Sequence, residues 1–196
     1  LNRNLIVSHA VGTGDPLKTD IVRAAMLIRA NTLTTGYSGI RVDLVKTIIE
    51  AINKEVTPII PSQGSLGSSG DLCPLSHMAL VLTTDRNDLD EESGLAFYKG
   101  VQYSGKEAMS KAGINRVILG PKEGLALNNG ATFSAAIMAL ALYETRYLVD
   151  LVDKTVSLSL EGLKGCPDAF DERIHIARGL KGQIQSAKNI REFFTG

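Results

Sequence analysis

Apolar residues recur at helical spacing soon after the start of the chain. Leu17, Ile21, Ala24 and Ile28 fall on one stripe, and the run closes near Gly36. Asp15-Pro16 ahead of it predicts the helix start, with a carboxylate at the N-cap and a proline at the first helical position. A second stripe, Ile40, Leu44, Ile48 and Ala51, is backed by Arg41, Asp43, Lys46 and Glu50, the pattern of an amphipathic helix. Pro58, Pro61 and Gly64 end the periodicity, and the stretch from Gly64 to Gly70 excludes a regular element. Leu72 to Leu82 is apolar and predicts a helix, and Asp85 to Ser93 a charged surface loop. Leu95-Ala96-Phe97-Tyr98 and Val101-Gln102-Tyr103 flank Lys99-Gly100 as a small hairpin would. Lys106 to Ala112 predicts a short helix stopped at Gly113.

The longest predicted helix runs from about Gly130 to Lys164, and between Ala131 and Tyr143 it is apolar on every face. Such a helix has to be covered on all sides. A chain this small cannot surround it alone, which predicts an oligomeric helix bundle. Two final helices are expected over Asp171 to Gly179 and Gln183 to Phe194.

Composition narrows the function classes. Hydrophobic residues make up 44% of 196, as in an ordered globular protein. Lys+Arg and Asp+Glu are both 21, so the basic surplus that nucleic acid or an acidic membrane surface demands is missing. Cys73 and Cys166 lie far apart without metal-ligand spacing, so two reduced thiols, no metal and a cytoplasmic location are expected. Leu1 to Ala10 lacks the basic start and cleavage site of a signal peptide. The uncharged apolar stretch Ala131 to Tyr143 is too short to span a bilayer. The chain opens without methionine, directly into apolar sequence, and is expected to be an internal fragment.

One segment carries candidate chemistry: Gly64-Ser65-Leu66-Gly67-Ser68-Ser69-Gly70-Asp71-Leu72-Cys73-Pro74-Leu75. Its plain reading is a glycine-rich turn before a helix, able to bind an anion at the helix N-terminus. A Walker-type phosphate loop is disfavoured, because Asp71 stands where a Lys-Ser/Thr pair is needed. A serine nucleophile elbow fits neither the glycine spacing nor the flanking elements.

Continued through Ser76-His77-Met78-Ala79-Leu80, the run resembles the signature of the aromatic amino acid ammonia-lyase family. In that family an Ala-Ser-Gly tripeptide cyclises unaided to 4-methylideneimidazol-5-one (MIO). The glycine nitrogen attacks the carbonyl two residues back, and the central serine then loses its hydroxyl as water. The resemblance assigns Ser69 as that serine and Gly70 as the attacking nitrogen. Ser68 stands where alanine is usual, and its carbonyl, not its side chain, enters the ring. No external cofactor is implied.

Two further blocks are similar in order and spacing. Leu5-Ile6-Val7-Ser8-His9-Ala10, with Gly12, Gly14 and Pro16, resembles the substrate-pocket segment, whose Ser-His pair marks the histidine-acting branch. Glu123-Gly124-Leu125-Ala126-Leu127-Asn128-Asn129-Gly130 resembles the block whose asparagine, here Asn129, reaches into the active site. Asn128 replaces a usual aliphatic residue there, and Ala131-Thr132 a Thr-Gln or Thr-Ala pair. Leu160-Glu161-Gly162-Leu163-Lys164-Gly165 with Asp168-Ala169-Phe170 also looks familial.

The resemblance therefore implies a mainly α fold, a helical bundle of the aspartase/ammonia-lyase type with a small irregular head holding the MIO loop and a short hairpin. Residues 1–130 are expected to form part of the head and 131–196 the start of the central bundle. The implied activity is non-oxidative deamination of L-histidine to urocanate and ammonia by a homotetramer. Ser68, Ser69, Gly70 and Asn129 are its catalytic candidates, and His9 its contact with the substrate imidazole. Asp71 is expected either to cap the following helix or to shape the cyclising loop. His77, His175 and the five tyrosines are expected to be structural. The family's catalytic tyrosine loop lies upstream of the His9 block, and its carboxylate-binding arginine and a second tyrosine lie downstream of Gly196, so the fragment alone is expected to be inactive. Three alternatives stay open: another MIO lyase or aminomutase, a non-catalytic assembly module of the same fold, and an anion-binding helical domain using Gly64 to Gly70.

Overall fold

The computed structural model describes residues 2–87 and 89–194. The chain divides into two compact units, Leu1–Ala139 and Leu140–Gly196. The first opens with α1 (Asn2–His9), β1 (Thr13–Pro16), α2 (Thr19–Thr34) and α3 (Val42–Asn53). The short strands β2 (Val56–Pro58) and β3 (Pro61–Gln63) lead through the glycine-rich loop into α4 (Leu72–Leu82). After β4 (Thr83–Thr84), β5 (Leu95–Tyr98), β6 (Val101–Ser104), α5 (Gly105–Lys111), β7 (Val117–Ile118) and α6 (Glu123–Asn128), the chain enters α7 (Thr132–Gly162), which continues into the second unit. The fold is mainly helical, with the irregular loop and the hairpin in the first unit, as the sequence implied.

The α3 stripe buries the face it predicts, whereas Leu17, Ile21, Ala24 and Ile28 of the first stripe are only partly buried and α2 turns an adjacent face to the core. α2 turns Val22, Ala25, Met26, Ala30 and Leu33 inward, and α3 packs Leu44, Val45, Ile48 and Ala51 against it. Each of the larger side chains among these, the Val, Leu, Ile and Met, contributes about 1.5–3 kcal/mol by leaving water. α4 has no polar face: Cys73 to Ser76 and Met78 to Leu82 are all buried. It lies among α1, α3, α5 and α6, which explains why a hydrophobic helix suits this place.

The strands are small. β2, β5 and β6 form an antiparallel sheet, with Val56 opposite Tyr98 and Leu95 opposite Ser104. Lys99 and Gly100 turn the hairpin with φ of 49° and 80°, the paired left-handed conformations that match strand twist. β2, only three residues and ending in proline, left no trace in the alternation of the sequence.

The predicted helix start at Asp15-Pro16 is corrected. Both residues lie in β1, with Pro16 opposite Pro61 of β3, and the Leu17 amide donates to the Ile60 carbonyl at 2.8 Å. α2 begins at Thr19 instead. Extended pairing satisfies this backbone, and proline's fixed φ suits an edge strand as well as a first helical turn.

The start of α7 is anchored by Phe133 and Ala136, which are 3% and 0% exposed. Beyond them Ile137, Met138, Leu142 and Tyr143 lie open, so the described residues do not supply the all-round burial expected of this helix. The region Glu123–Gly162 contains a stretch long and apolar enough to cross a membrane by length and composition alone, a test that core helices of globular proteins also pass. In the second unit α7 is followed by a 3₁₀ turn (Pro167–Phe170), α8 (Glu172–Arg178) and α9 (Lys181–Phe194). There the buried Asp153 accepts from Asn189 at 2.7 Å, and His175 is held by the Ala169 carbonyl and Gln183, a structural role as expected.

Candidate active site

The loop joining β3 to α4 is held at both ends by contacts that leave no space for a side chain. At its start Gly64 has φ of 148°, and a Cβ there would lie 2.5 Å from Cys73 Sγ and 3.2 Å from Gly12 Cα. At its end Gly70 has φ of 99°, and a Cβ would lie 2.7 Å from the Gly130 nitrogen and 2.9 Å from its carbonyl carbon and oxygen. Both neighbours at the second point are backbone and cannot rotate away. Between the two clamps Ser68 and Ser69 are exposed.

Asp71 fixes the loop's exit and is 2% exposed. It occupies the N-cap position of α4 but makes no side-chain cap bond to that helix. Its carboxylate instead accepts from the Ser134 amide and hydroxyl and from the Ser65 hydroxyl, each at 2.9 Å. Ser134 is the third residue of α7, so Asp71 caps the N-terminus of a helix that starts 61 residues later in sequence than itself. The Asp71 amide also donates to the Gly130 carbonyl at 2.8 Å.

Asn129 immediately precedes this contact. It is exposed and forms the C-cap of α6. Its neighbour Asn128 is fully buried, with Nδ2 donating to Ser76 Oγ of α4 at 3.2 Å. Asn128, a departure from the family pattern, is thus directed at the helix core.

His9 ends α1, with Nδ1 facing the Leu5 carbonyl at 2.9 Å and Ser8 Oγ at 3.1 Å. The segment after it returns to the loop. Thr13 pairs with Gln63, and the Gly12 amide donates to His77 Nε2 at 3.0 Å. His77 therefore ties the His9 segment to α4, a structural role as expected, and burial lowers its pKa from the ordinary 6.5. Cys73 lies beside it against Gly12, and burial raises its thiol pKa. A cavity of about 350 Å³ opens beside the loop, lined by Ser65, Leu66, Asp71, Phe133 and Ser134 among others.

Sequence reasoning missed Arg29. It lies on the buried stripe of α2 and is 4% exposed. Its Nη2 donates to the Ala126 and Asn129 carbonyls, the latter at 2.6 Å, and Nη1 faces Thr132 Oγ1 at 3.4 Å. Among the described residues no carboxylate pairs with it, and desolvation pulls its pKa down to about 10. The signal was present: an arginine spaced with Val22, Met26 and Leu33 falls on an apolar face.

This arrangement fits a ring closed within the loop. Gly70 has no Cβ to crowd its backbone nitrogen, which among the described residues donates to no acceptor, while the carbonyl to which it would bond belongs to exposed Ser68.

The whole chain, residues 1–196, matches the model of the aromatic amino acid lyase family. The histidine ammonia-lyase of Alkaliphilus metalliredigens is 50% identical over 196 residues, all of this chain and 37% of the relative. The crystal structure of histidine ammonia-lyase from Trypanosoma cruzi superposes with a TM-score of 0.86 at 35% identity, over 97% of this chain and 36% of that one. The phenylalanine aminomutase of Pantoea agglomerans gives 0.88 at 38% identity, over 98% and 35%. The chain thus spans little more than a third of the length of its relatives. On the full-length family match and these likenesses, the chain belongs to the aromatic amino acid lyase family.

Proposed function

We propose that this chain is the electrophile-bearing part of a histidine ammonia-lyase, which converts L-histidine to urocanate and ammonia in the cytoplasm as a homotetramer. The observation that carries the reading is the pressed loop end: Gly70 backed against Gly130 while Asp71 is clamped to Ser134. Ring closure joins the Gly70 nitrogen to the Ser68 carbonyl carbon, whose oxygen leaves as water; Ser69 then loses its hydroxyl and α-hydrogen as a second water. A backbone already held turned loses less freedom on closing. Once formed from Ser68, Ser69 and Gly70, the ring would supply an electrophilic carbon toward the substrate amine, the chemistry that makes ammonia a better leaving group.

The remaining roles belong to side chains. With Nδ1 engaged on its own helix, His9 keeps Nε2 for the substrate imidazole. Asn129 offers an amide near the ring. The apolar face of α7 meets neighbouring copies, with residues 131–196 as the start of the shared bundle and 1–130 as the head. The tyrosine and arginine that complete the site come from other parts of a longer polypeptide, and this chain alone is inactive.

Mass measurement of the peptide containing Ser69 tests the reading. A loss of two waters is expected in the longest polypeptide carrying this sequence, together with urocanate absorbance on adding histidine. An unmodified peptide and no urocanate would refute it. The likeness to an aminomutase favours a second reading, another MIO reaction on an aromatic amino acid, which the same assay separates by its product.

A further inference from the structure

Among the described residues Arg29 is a buried cation without an anion, and its surroundings relate it to the loop. A guanidinium taken from water costs several kcal/mol unless its donors are well used. Here they are used on the last carbonyls of α6, where the helix dipole favours positive charge. Those carbonyls belong to Ala126 and Asn129, so Arg29 holds the turn that leads from α6 to α7. It also supports Gly130 from behind, since a Cβ on Gly130 would lie 2.7 Å from Arg29 Nη1. The Gly130 backbone is also the surface that Gly70 rests on.

Gly130 thus touches both the Arg29 guanidinium and the loop end at Gly70. We infer that Arg29 is a positioning residue for ring closure in the Ser68-Ser69-Gly70 loop: it holds the Gly130 peptide in place against Gly70 and orients Asn129 through its carbonyl. The inference rests on the proposed MIO chemistry. Arg29 touches neither substrate nor reacting atoms. Among the described residues Nε of Arg29 has no partner and its contact to Thr132 is long, so the guanidinium acts mainly through the two Nη2 bonds to the Ala126 and Asn129 carbonyls.

The test compares Arg29→Met and Arg29→Lys with Ile48→Ala, a core substitution on α3 chosen as a stability control. All are made in the longest polypeptide that carries this sequence. The readouts are the fraction of peptide lighter by two waters, the rate at which that fraction grows after refolding, and the thermal midpoint. Arg29→Met is expected to slow ring formation at least tenfold, Arg29→Lys to recover part of the rate, and Ile48→Ala to form the ring at the normal rate despite a similar or larger fall in midpoint. If Arg29→Met does not fold, Arg29→Lys is read against the control in its place. Equal slowing in the control, or normal ring formation in the Arg29 variants, would overturn the inference. A wild-type chain that never loses the two waters would refute the proposed function instead.

Discussion

Removing the Asp71 carboxylate should loosen the junction between the loop and α7 by a predictable amount. Asp71→Ala deletes the acceptor for the Ser134 amide, the third N–H of a 31-residue helix. Loss of an N-cap acceptor costs about 1 kcal/mol and up to about 2. Loss of negative charge at that helix end adds about 0.3–1 kcal/mol, more when the group is as buried as Asp71. The hydroxyls of Ser65 and Ser134 belong to exposed residues, so water replaces the carboxylate at small cost. The expected total is about 2–3 kcal/mol. Asp71→Asn keeps one oxygen for the Ser134 amide and an NH₂ group that both serine hydroxyls can accept, so only the charge is lost and the cost should stay near or below about 1 kcal/mol. Urea unfolding of both variants at neutral pH, with the slope checked for constancy, measures the difference. An Asp71→Ala variant as stable as wild type would show that the carboxylate does not cap α7. Equal losses in the two variants would show that charge, not cap geometry, carries the interaction.

Gly70→Ala forces a methyl to within 2.7 Å of backbone at φ of 99°, so a loss of about 2–5 kcal/mol is expected with the two-water mass change abolished; normal stability would contradict the packing. Glu123 is 3% exposed and accepts from the Arg41 guanidinium, the Arg41 amide and the Gly120 amide, which lower its pKa from 4.5 to about 2. Its folded pKa is depressed, so its contribution is present above about pH 4.5 and is lost as pH falls towards 2. Because the Arg41 side chain is 52% exposed, about 1–2 kcal/mol is expected, and Glu123→Gln should flatten the acid limb of stability against pH. His9→Leu in the longest polypeptide should lower kcat/KM for histidine roughly tenfold or more and move preference towards aromatic substrates; unchanged histidine kinetics would remove His9 from the substrate contact.

Helix periodicity and turn chemistry were legible along the chain because both are local. Leu44, Ile48 and Ala51 announce a buried face by spacing alone, and α4 was located by its largely apolar run between Asp71 and the polar stretch that follows. The Ser68-Ser69-Gly70 tripeptide was picked out by its resemblance to the family signature, since its composition alone reads as a glycine-rich turn. Other features depended on partners far along the chain. Asp71 looks in sequence like the cap of α4, and only the arrival of Ser134, 63 residues later, makes it the cap of α7. Arg29 looks like a polar interruption of an apolar stripe until Thr132, 103 residues away, and the end of α6 come to meet it. Asp15-Pro16 has the composition of a helix start, yet Pro61 draws it into a strand. Spacing alone marked the buried face of α3, because that choice is made within a few residues, and the Ser68-Ser69-Gly70 tripeptide stood out through its resemblance to the family signature. The tertiary structure decided which groups brace that tripeptide, because a carboxylate or guanidinium binds whatever donor or acceptor the folded chain brings within about 3 Å.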